Sequence, residues 1–439
     1  MNLLSVQTLV ESPFVIVKIG DYTFGSCARV EDRSRFGTTL KVTFPNYMQS
    51  ISIVKVNGQV NTYTIGMVYQ ITQNDDPNML EKVFSSVSGT RQITISYGDW
   101  ASPAFIYKNE EAIITKVQST VDFGGSKINY TISAVSGSVA LKSNYFDFPK
   151  RNAKPSDVIK ELLMNNQTYQ LKNIFYGMKD NALVKKYNLI PGNDKQVIIE
   201  SKQHVSVLDY LNYLVSCMSP SYENAKTNVL VAPTYKNEKA VANIDDKYLK
   251  SYKYYLGIYD DTSGILNGPY FKIVETNANA KVISPDTFEV DVGYPGNTFV
   301  TNFQLRDNEQ WSILYNYSQN ILKNDYIYKI NNDGEIDANY SPELLSSGKL
   351  KTITEAQRNW WNAVTQFPIT ATLTIKGLMR PSILMSYVKI NVLFYGKKYL
   401  ASGTYIITRQ QDTINAQGYR TELTLTRVQG DDIWLEKVL

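Results

Sequence analysis

The sequence predicts a mainly β protein in which two related antiparallel β-barrels flank a mixed helical and strand insertion. Three observations carry that expectation. Near the start, Ile113–Val135 reads IITKVQSTVDFGGSKINYTISAV; near the end, Ile406–Val428 reads IITRQQDTINAQGYRTELTLTRV, and the two align without a gap at an offset of 293 residues (406 − 113). Short alternating apolar runs, broken by Gly, Asn or Pro, fill both ends of the 439-residue chain. Helix-period patterns lie between those ends.

The paired segments match at Ile113/Ile406, Ile114/Ile407, Thr115/Thr408, Thr120/Thr413, Gly125/Gly418, Thr131/Thr424 and Val135/Val428. Matches of that kind also arise by chance in unrelated hairpins, so the phase of the pattern is the stronger argument. Ile128, Tyr130, Ile132 and Ala134 alternate with Lys127, Asn129, Thr131 and Ser133, while Thr421, Leu423, Leu425 and Arg427 alternate with Arg420, Glu422, Thr424 and Thr426. Period two with one apolar row describes a half-buried antiparallel strand. Gly125 and Gly418 stand where a connecting turn requires positive φ. Each copy also follows a run containing Tyr-Gly, at Tyr97-Gly98 and Tyr395-Gly396.

From the N-terminus, the runs PFVIVKIG, TLKVTFP, ISIVKVNG, TYTIGMVYQIT and RQITISYG precede the first hairpin, and regular strands of this spacing predict a barrel over residues 1–142. A small helical and mixed domain is expected over 143–228. Pro155 suits a first helical turn, with Val158, Ile159, Leu162 and Leu163 on one face. A second helix begins at Ser206, where Ser206 and Asp209 can form a capping box, and Leu208, Leu211 and Val215 make its apolar stripe. Residues 229–359 read as mixed strand and loop, including NVLVAPTY, YFKIVET and TFEVDVGYPGNTF. A third helix starts at Thr354, carries Trp360 and Trp361 and stops before Pro368. Four strands then form a second barrel over 360–439: ITATLTIKG, SYVKINVLFYG, GTYIITRQ and YRTELTLTRV. The sequence leaves open whether part of 229–359 completes that barrel.

Composition narrows the function. With 43% hydrophobic residues the chain can bury a full core, and a net charge of +4 without like-charge blocks gives no nucleic-acid-coating surface. Thirty-two tyrosines suit a strand-rich fold with wide, partly wet contacts. Cys27 and Cys217 are far apart and read as buried thiols. The N-terminal stretch lacks a basic region and meets Glu11 early, unlike a secretory leader. No uncharged apolar run is long enough to span a bilayer, so no stable membrane insertion is expected.

Catalytic patterns are weak. The single histidine, His204, lies just ahead of the second helix and about 13 residues from Cys217, too far for a Cys-His dyad. No Gly-x-Ser-x-Gly elbow or phosphate-binding Gly loop is present. KINNDGEIDANY would put Lys329 at the first position of a calcium loop if Gly334 took the sixth, so a hairpin turn through Asn332-Asp333-Gly334 is expected instead. The pairs Asp245-Asp246 and Asp260-Asp261 sit in polar, solvated stretches. The expectation is a protein that is not an enzyme, with no catalytic, cofactor-binding or metal residue and no cofactor; the residues of any interface are not identifiable at this level.

The C-terminal block carries a resemblance. Ala371–Gly377 (ATLTIKG), Pro381, the Val388–Tyr395 strand, Gly403-Thr-Tyr-Ile-Ile, Gly418-Tyr419 and Leu423-Thr-Leu425 together resemble the tail-hub proteins of bacteriophages, whose fold also supplies the hub part of contractile injection systems and type VI secretion spikes. Phe148-Pro149 followed by the Ile159–Leu163 and Leu208–Tyr213 helices resembles that family's small domain, and the Trp360 helix also fits. Two features depart from the family: Pro381-Ser382 stands where Pro-Gly is common, and no needle or muralytic domain follows Val428.

The resemblance implies a structural, tube-forming role in a virion tail baseplate or tail tip, assembled in the host cytoplasm. It implies a homotrimer whose two barrels per chain make a pseudo-sixfold ring. Such a ring adapts a sixfold tail tube above to a separate threefold spike below, touches other baseplate proteins, and passes DNA at ejection. The ring's inner surface is then expected to be neutral or acidic, since Lys and Arg would hold phosphates. The alternatives are a tail-tip enzyme degrading cell wall on a hub-like scaffold, and a receptor-binding tail protein.

Overall fold

The computed structural model describes residues 13–25, 44–45, 47–84, 91–99, 108–122, 124–164, 196–218, 253–259, 270–276, 288–293, 300–307, 369–377, 384, 386–395, 397–399 and 401–430. The fold is mainly β, as the alternating runs require. The chain opens with β1 (Pro13–Ile19), β2 (Tyr22–Gly25), β3 (Phe44–Pro45), β4 (Met48–Val56) and β5 (Thr62–Gln70). After α1 (Met79–Phe84) come β6 (Gln92–Asp99), β7 (Lys108–Val121) and β8 (Lys127–Ser136). The middle holds α2 (Val139–Ser143), β9 (Tyr145–Phe148), β10 (Arg151–Ala153), α3 (Pro155–Met164), β11 (Val197–Ile199), β12 (Lys202–Ser206), α4 (Val207–Cys217), β13 (Lys253–Tyr259) and β14 (Tyr270–Thr276). The last group is β15 (Phe288–Val292), β16 (Val300–Asp307), β17 (Ile369–Lys376), β18 (Tyr387–Phe394), β19 (Lys397–Lys398), β20 (Gly403–Asn415) and β21 (Gly418–Gly430).

Two six-strand units share one plan. The first pairs its strands in the order β4-β5-β8-β7-β6-β1, the second in the order β16-β17-β21-β20-β18-β15. Corresponding strands also follow one another in the same order along the chain. β15 and β16, within the stretch the sequence left unassigned, therefore pair with the last strands. Among the described residues the strand directions of the two units differ in one pair: β1 runs antiparallel to β6, whereas β15 runs parallel to β18.

Two irregularities recur at corresponding sites. A bulge interrupts β7 between Ile114 and Lys116, and another interrupts β20 between Ile407 and Arg409. The extra residue is Thr115 in one and Thr408 in the other. Each hydroxyl donates across the hairpin, to Ser133 O at 3.1 Å and to Thr424 O at 3.2 Å. Ile114 N donates to Arg91 O just as Ile407 N donates to Ser386 O. A second pair of bulges falls between Met48 and Ser50 on β4 and between Val300 and Asn302 on β16. Bulges leave a residue unpaired and bend the strand, so two coincidences of position indicate one architectural unit written twice.

The gap-free alignment of the hairpins needs a correction. Its first arm holds, with the bulges 293 residues apart (407 − 114), but the second arm is displaced by two: Lys116 pairs with Ser133, whereas Arg409 pairs with Thr424, an offset of 291 (424 − 133). Asp122 closes onto Lys127, while Asn415 closes directly onto Gly418, a turn two residues shorter. Thr131/Thr424 and Val135/Val428 are thus not structural equivalents. The alternation survived because a slip of two preserves the face of every side chain. Gly125 and Gly418 both have positive φ, of 64° and 115°. The Tyr-Gly correspondence fails: Tyr97 lies inside β6 and is fully buried, whereas Tyr395 follows β18 and is fully exposed.

The first unit wraps around a core that includes Val17, Ile51, Ile65, Ile95 and Ile132; the second wraps around Val290, Leu373, Ile390, Ile407 and Leu423. A third core belongs to the middle of the chain, where Val158, Ile159 and Leu162 of α3 meet Leu208, Leu211 and Val215 of α4. Ser206 caps α4 as expected, its hydroxyl accepting from Asp209 N at 3.0 Å. Phe148 stacks on Tyr210 with ring centroids 3.7 Å apart. This middle core is tied to the first unit where Asn212 Nδ2 donates to Gly58 O. Gly58 has φ +67° and faces Asn212 so closely that a Cβ would lie 2.2 Å from its Oδ1. The helix expected from Thr354, the NVLVAPTY strand, the Asn332-Asp333-Gly334 turn and Cys27 lie outside the described residues.

Candidate functional site

The feature with the most chemistry is the seam joining the two units. β20 changes partner at its bulge. Before it, Gly403–Ile406 pairs with β18 of its own unit; after it, Arg409–Asn415 pairs antiparallel with β4 of the first. The register runs from Arg409 opposite Val56 to Ile414 opposite Ile51 and Asn415 opposite Ser50. One continuous sheet results. The tip of the β20–β21 hairpin also delivers Ile414 and Tyr419 into the core of the first unit. Burying a large apolar side chain contributes roughly 1.5–3 kcal/mol and each seam hydrogen bond about 1 kcal/mol net, so the inserted tip and the paired strands hold the junction comparably.

Beneath the seam lies a buried polar network. Lys55 Nζ donates to Glu110 Oε1 at 2.7 Å; Tyr97 OH donates to the same oxygen at 2.5 Å and Tyr63 OH to Oε2 at 2.7 Å. Burial opposes the charge of Glu110, but Lys55 and the three donors outweigh it and hold the carboxyl below its usual range. Burial, then the facing Glu110, pushes the Tyr97 phenol well up. Next to it, fully buried Asp412 accepts from Gln410 Nε2 at 2.8 Å and Thr421 Oγ1 at 2.7 Å. Burial, then Asp412, raises Tyr419 in the same way. Tyr97 and Tyr419 meet edge to face across the seam, 6.4 Å between centroids. Glu110 is matched by the Lys55 cation, whereas Asp412 is held by the neutral donors of Gln410 and Thr421.

Across the other face of the sheet hydroxyls and amides are mixed with charges: the row of Ser52, Thr64, Ser133 and Thr413 continues to exposed Lys116 on one side and to exposed Arg420 and Lys376 on the other. Thr372 and Thr424 share the next row but one with Arg409. Arg409 is neutralised by Glu422 at 3.1 Å. Gln411 Nε2 reaches over the seam to Ser52 Oγ at 3.2 Å.

His204 is exposed, stacked on Tyr145 at 4.9 Å, and its backbone N–H is held by Asp147. Cys217 is buried at the end of α4. Among the described residues there is no cluster of three or more His, Cys, Asp or Glu side chains that could hold a metal, and no helix long and apolar enough to cross a membrane. Sequence reasoning missed Lys55, Glu110, Gln410 and Asp412. Their signal was present: each occupies the inward phase of an alternating strand, beside Ile53, Ala112 and Ile414.

No family model matches the sequence, and no curated protein does. The resemblance read from the C-terminal block has counterparts among solved structures of tail and secretion proteins. One is a 43 kDa prophage MuSo2 tail protein from Shewanella oneidensis, with 10% identity over 95% of this chain and 97% of that one and a TM-score of 0.46. Another is a tail protein from Neisseria meningitidis, with 8% identity over 96% and 97% and a TM-score of 0.44. A third is an Escherichia coli component of the type VI secretion system, itself described as similar to bacteriophage T4 tail proteins, with 9% identity over 87% and 73% and a TM-score of 0.40.

Proposed function

We propose that this chain is the structural hub of a phage tail baseplate or tail tip. Three copies form a ring of six similar units that joins a sixfold tail tube to a separate threefold spike and passes DNA at ejection. The observation that carries this reading is the duplicated unit with its matching bulges, joined within one chain by a strand-to-strand seam. A threefold ring presenting one unit per chain would leave half of a sixfold partner's contacts unmet, and two per chain remove that mismatch. The proposed division assigns 1–142 and the strands from β15 onward to the ring, and the α3–α4 core to the spike-facing side. The ring sits in the virion tail after assembly in the host cytoplasm.

Native mass spectrometry of the purified chain, alone and with its spike polypeptide, tests the proposal. A trimer in either preparation supports it, and a monomer in both overturns it. The same material on a cell-wall zymogram tests the enzymatic alternative, which requires lytic activity that disappears when one carboxylate is replaced.

A further inference from the structure

A hairpin tip at the end of β18 presents three aromatic rings and two lysines to solvent. Phe394 is 57% exposed, Tyr399 46%, and Tyr395 stands fully clear of the protein, with exposed Lys397 and Lys398 beside them. From Leu393 to Tyr399 those lysines are the only charged residues. β18 makes its last pair with β20 at Ile390 and Gly403, and its last with β15 at Val392, then runs on to Phe394. That is four residues past β20 (394 − 390), about 13 Å at ~3.3 Å per residue. β4 runs antiparallel to β20, and Asn57 N donates to Thr408 O, so the tip leaves the sheet at the end where Gly58 meets Asn212 of the middle core.

The tip is held rigid from behind. Leu393 pairs with Lys398 and Phe394 with Lys397. Tyr399 N donates to Val392 O and Ser402 N to Tyr399 O, each at 2.8 Å. The Ser402 hydroxyl accepts from Val392 N at 2.9 Å and donates to Val392 O at 3.2 Å. Phe394 and Tyr399 meet edge to face, 5.4 Å between centroids. Gly293 packs so closely behind β18 that a Cβ would lie 2.6 Å from Leu393 O. Tyr395 itself is held at φ +50°, one of two non-glycine residues with positive φ among the described residues. The left-handed region is unfavourable for a bulky side chain, and a ring so exposed buries nothing in return. An aromatic that costs stability and is offered to solvent beside two more marks a contact surface.

We propose that this tip docks on an anionic lipid surface. Phe394, Tyr395 and Tyr399 enter the headgroup region, where amphipathic rings rest at the boundary of water and hydrocarbon. Lys397 and Lys398 meet the phosphates, and their charge is complementary to an anionic membrane. The contact is peripheral and reversible and spans nothing. A stable protein interface draws on about 20–30 residues a side, more than this narrow tip offers. A protein partner would also need a pocket cut for three projecting rings, whereas headgroups yield to them. On the hub reading the tip lies on the spike-facing side, where a membrane is met; the lipid contact itself does not depend on that reading.

Vesicle flotation of the full chain decides it. Binding to vesicles of phosphatidylglycerol and phosphatidylethanolamine in equal parts should exceed binding to phosphatidylcholine vesicles at least about tenfold, and added salt should release it. Lys397→Gln with Lys398→Gln should weaken it about 25-fold, at about fivefold per lysine. Tyr395→Asn removes the ring and sets at φ +50° a residue that tolerates that conformation. Its melting temperature should hold or rise while vesicle binding falls at least about tenfold. No flotation with either vesicle, equal flotation with the neutral ones, or Tyr395→Asn floating like the unmodified chain overturns the proposal and leaves the hub reading standing. Self-association without vesicles that Tyr395→Asn abolishes assigns the tip to a second copy and also overturns it. Flotation of a chain that stays monomeric with its spike supports the docking and overturns the hub reading.

Discussion

The distal halves of β7 and β20 are the same strand in two environments. Both follow a bulge at a threonine whose hydroxyl bridges the hairpin. Beyond that point Arg409–Asn415 is clasped by β4, and the corresponding stretch of β7 is largely exposed. The clasped copy carries Gln410 and Asp412 inward, bonded to each other and to Thr421; the open copy carries Val117 and Ser119. The permanent junction thus contains a buried polar network assembled once, during folding. The open one carries short, neutral side chains.

The sharpest break of this comparison is a matched pair of substitutions. Ile414→Asp should cost more than about 4 kcal/mol, because it buries a carboxylate with no partner, whereas Val121→Asp should change the lone chain by less than about 0.5 kcal/mol. Urea unfolding of both variants checks this, and similar losses would show that the two strand ends are not differently covered.

Next in size is the ion pair beneath the seam. Glu110→Gln leaves Lys55 buried without its counter-charge and should cost about 3–5 kcal/mol. Lys55→Met combined with Glu110→Leu should recover much of that loss, which a double-mutant cycle measures.

A pH titration of stability is smaller and graded. Glu110 has a lowered folded pKa, so its contribution is complete above the unfolded value of about 4.3 and disappears as pH falls through the folded value. Tyr97 and Tyr419 have raised values, so theirs is complete below about 10 and is lost as pH rises beyond it. Thermal melts should therefore weaken at both ends, and Glu110→Gln should flatten the acid limb while leaving the alkaline limb in place.

The smallest effect sharpens the equivalence itself. Thr115→Val and Thr408→Val each remove one hydroxyl bridge, and each should cost about 0.5–1.5 kcal/mol. Equal losses in urea melts are expected if the two bulges are one device; a loss at only one of them would argue against that.

Much of this was legible before any coordinates. Ile128, Tyr130, Ile132 and Ala134 are buried as their alternation required, and α3 and α4 bury the faces their spacing marked. The hairpin slip was not legible, because identity scoring rewards a gap-free match and period two hides an even displacement. Nor was the membership of β15 and β16 in the second unit: their runs are short, and what places them is pairing with strands about 70–100 residues away. Lys55 and Glu110 were visible as charges in an inward phase, but nothing local says that two inward charges 55 residues apart will meet.

By itself the amino-acid sequence determined the strand phases, the Ser206 cap, the turn glycines and the fact of a duplication, because each depends on neighbours within one strand or one helical turn. Only the tertiary structure decided which edge each strand meets, that β20 changes partner at its bulge, and that its twin in the first unit, among the described residues, does not. Strand edges are made of backbone N–H and C=O groups common to every residue, so their choice of partner is set by the packing of the cores on either side and not by the side chains of the strand alone.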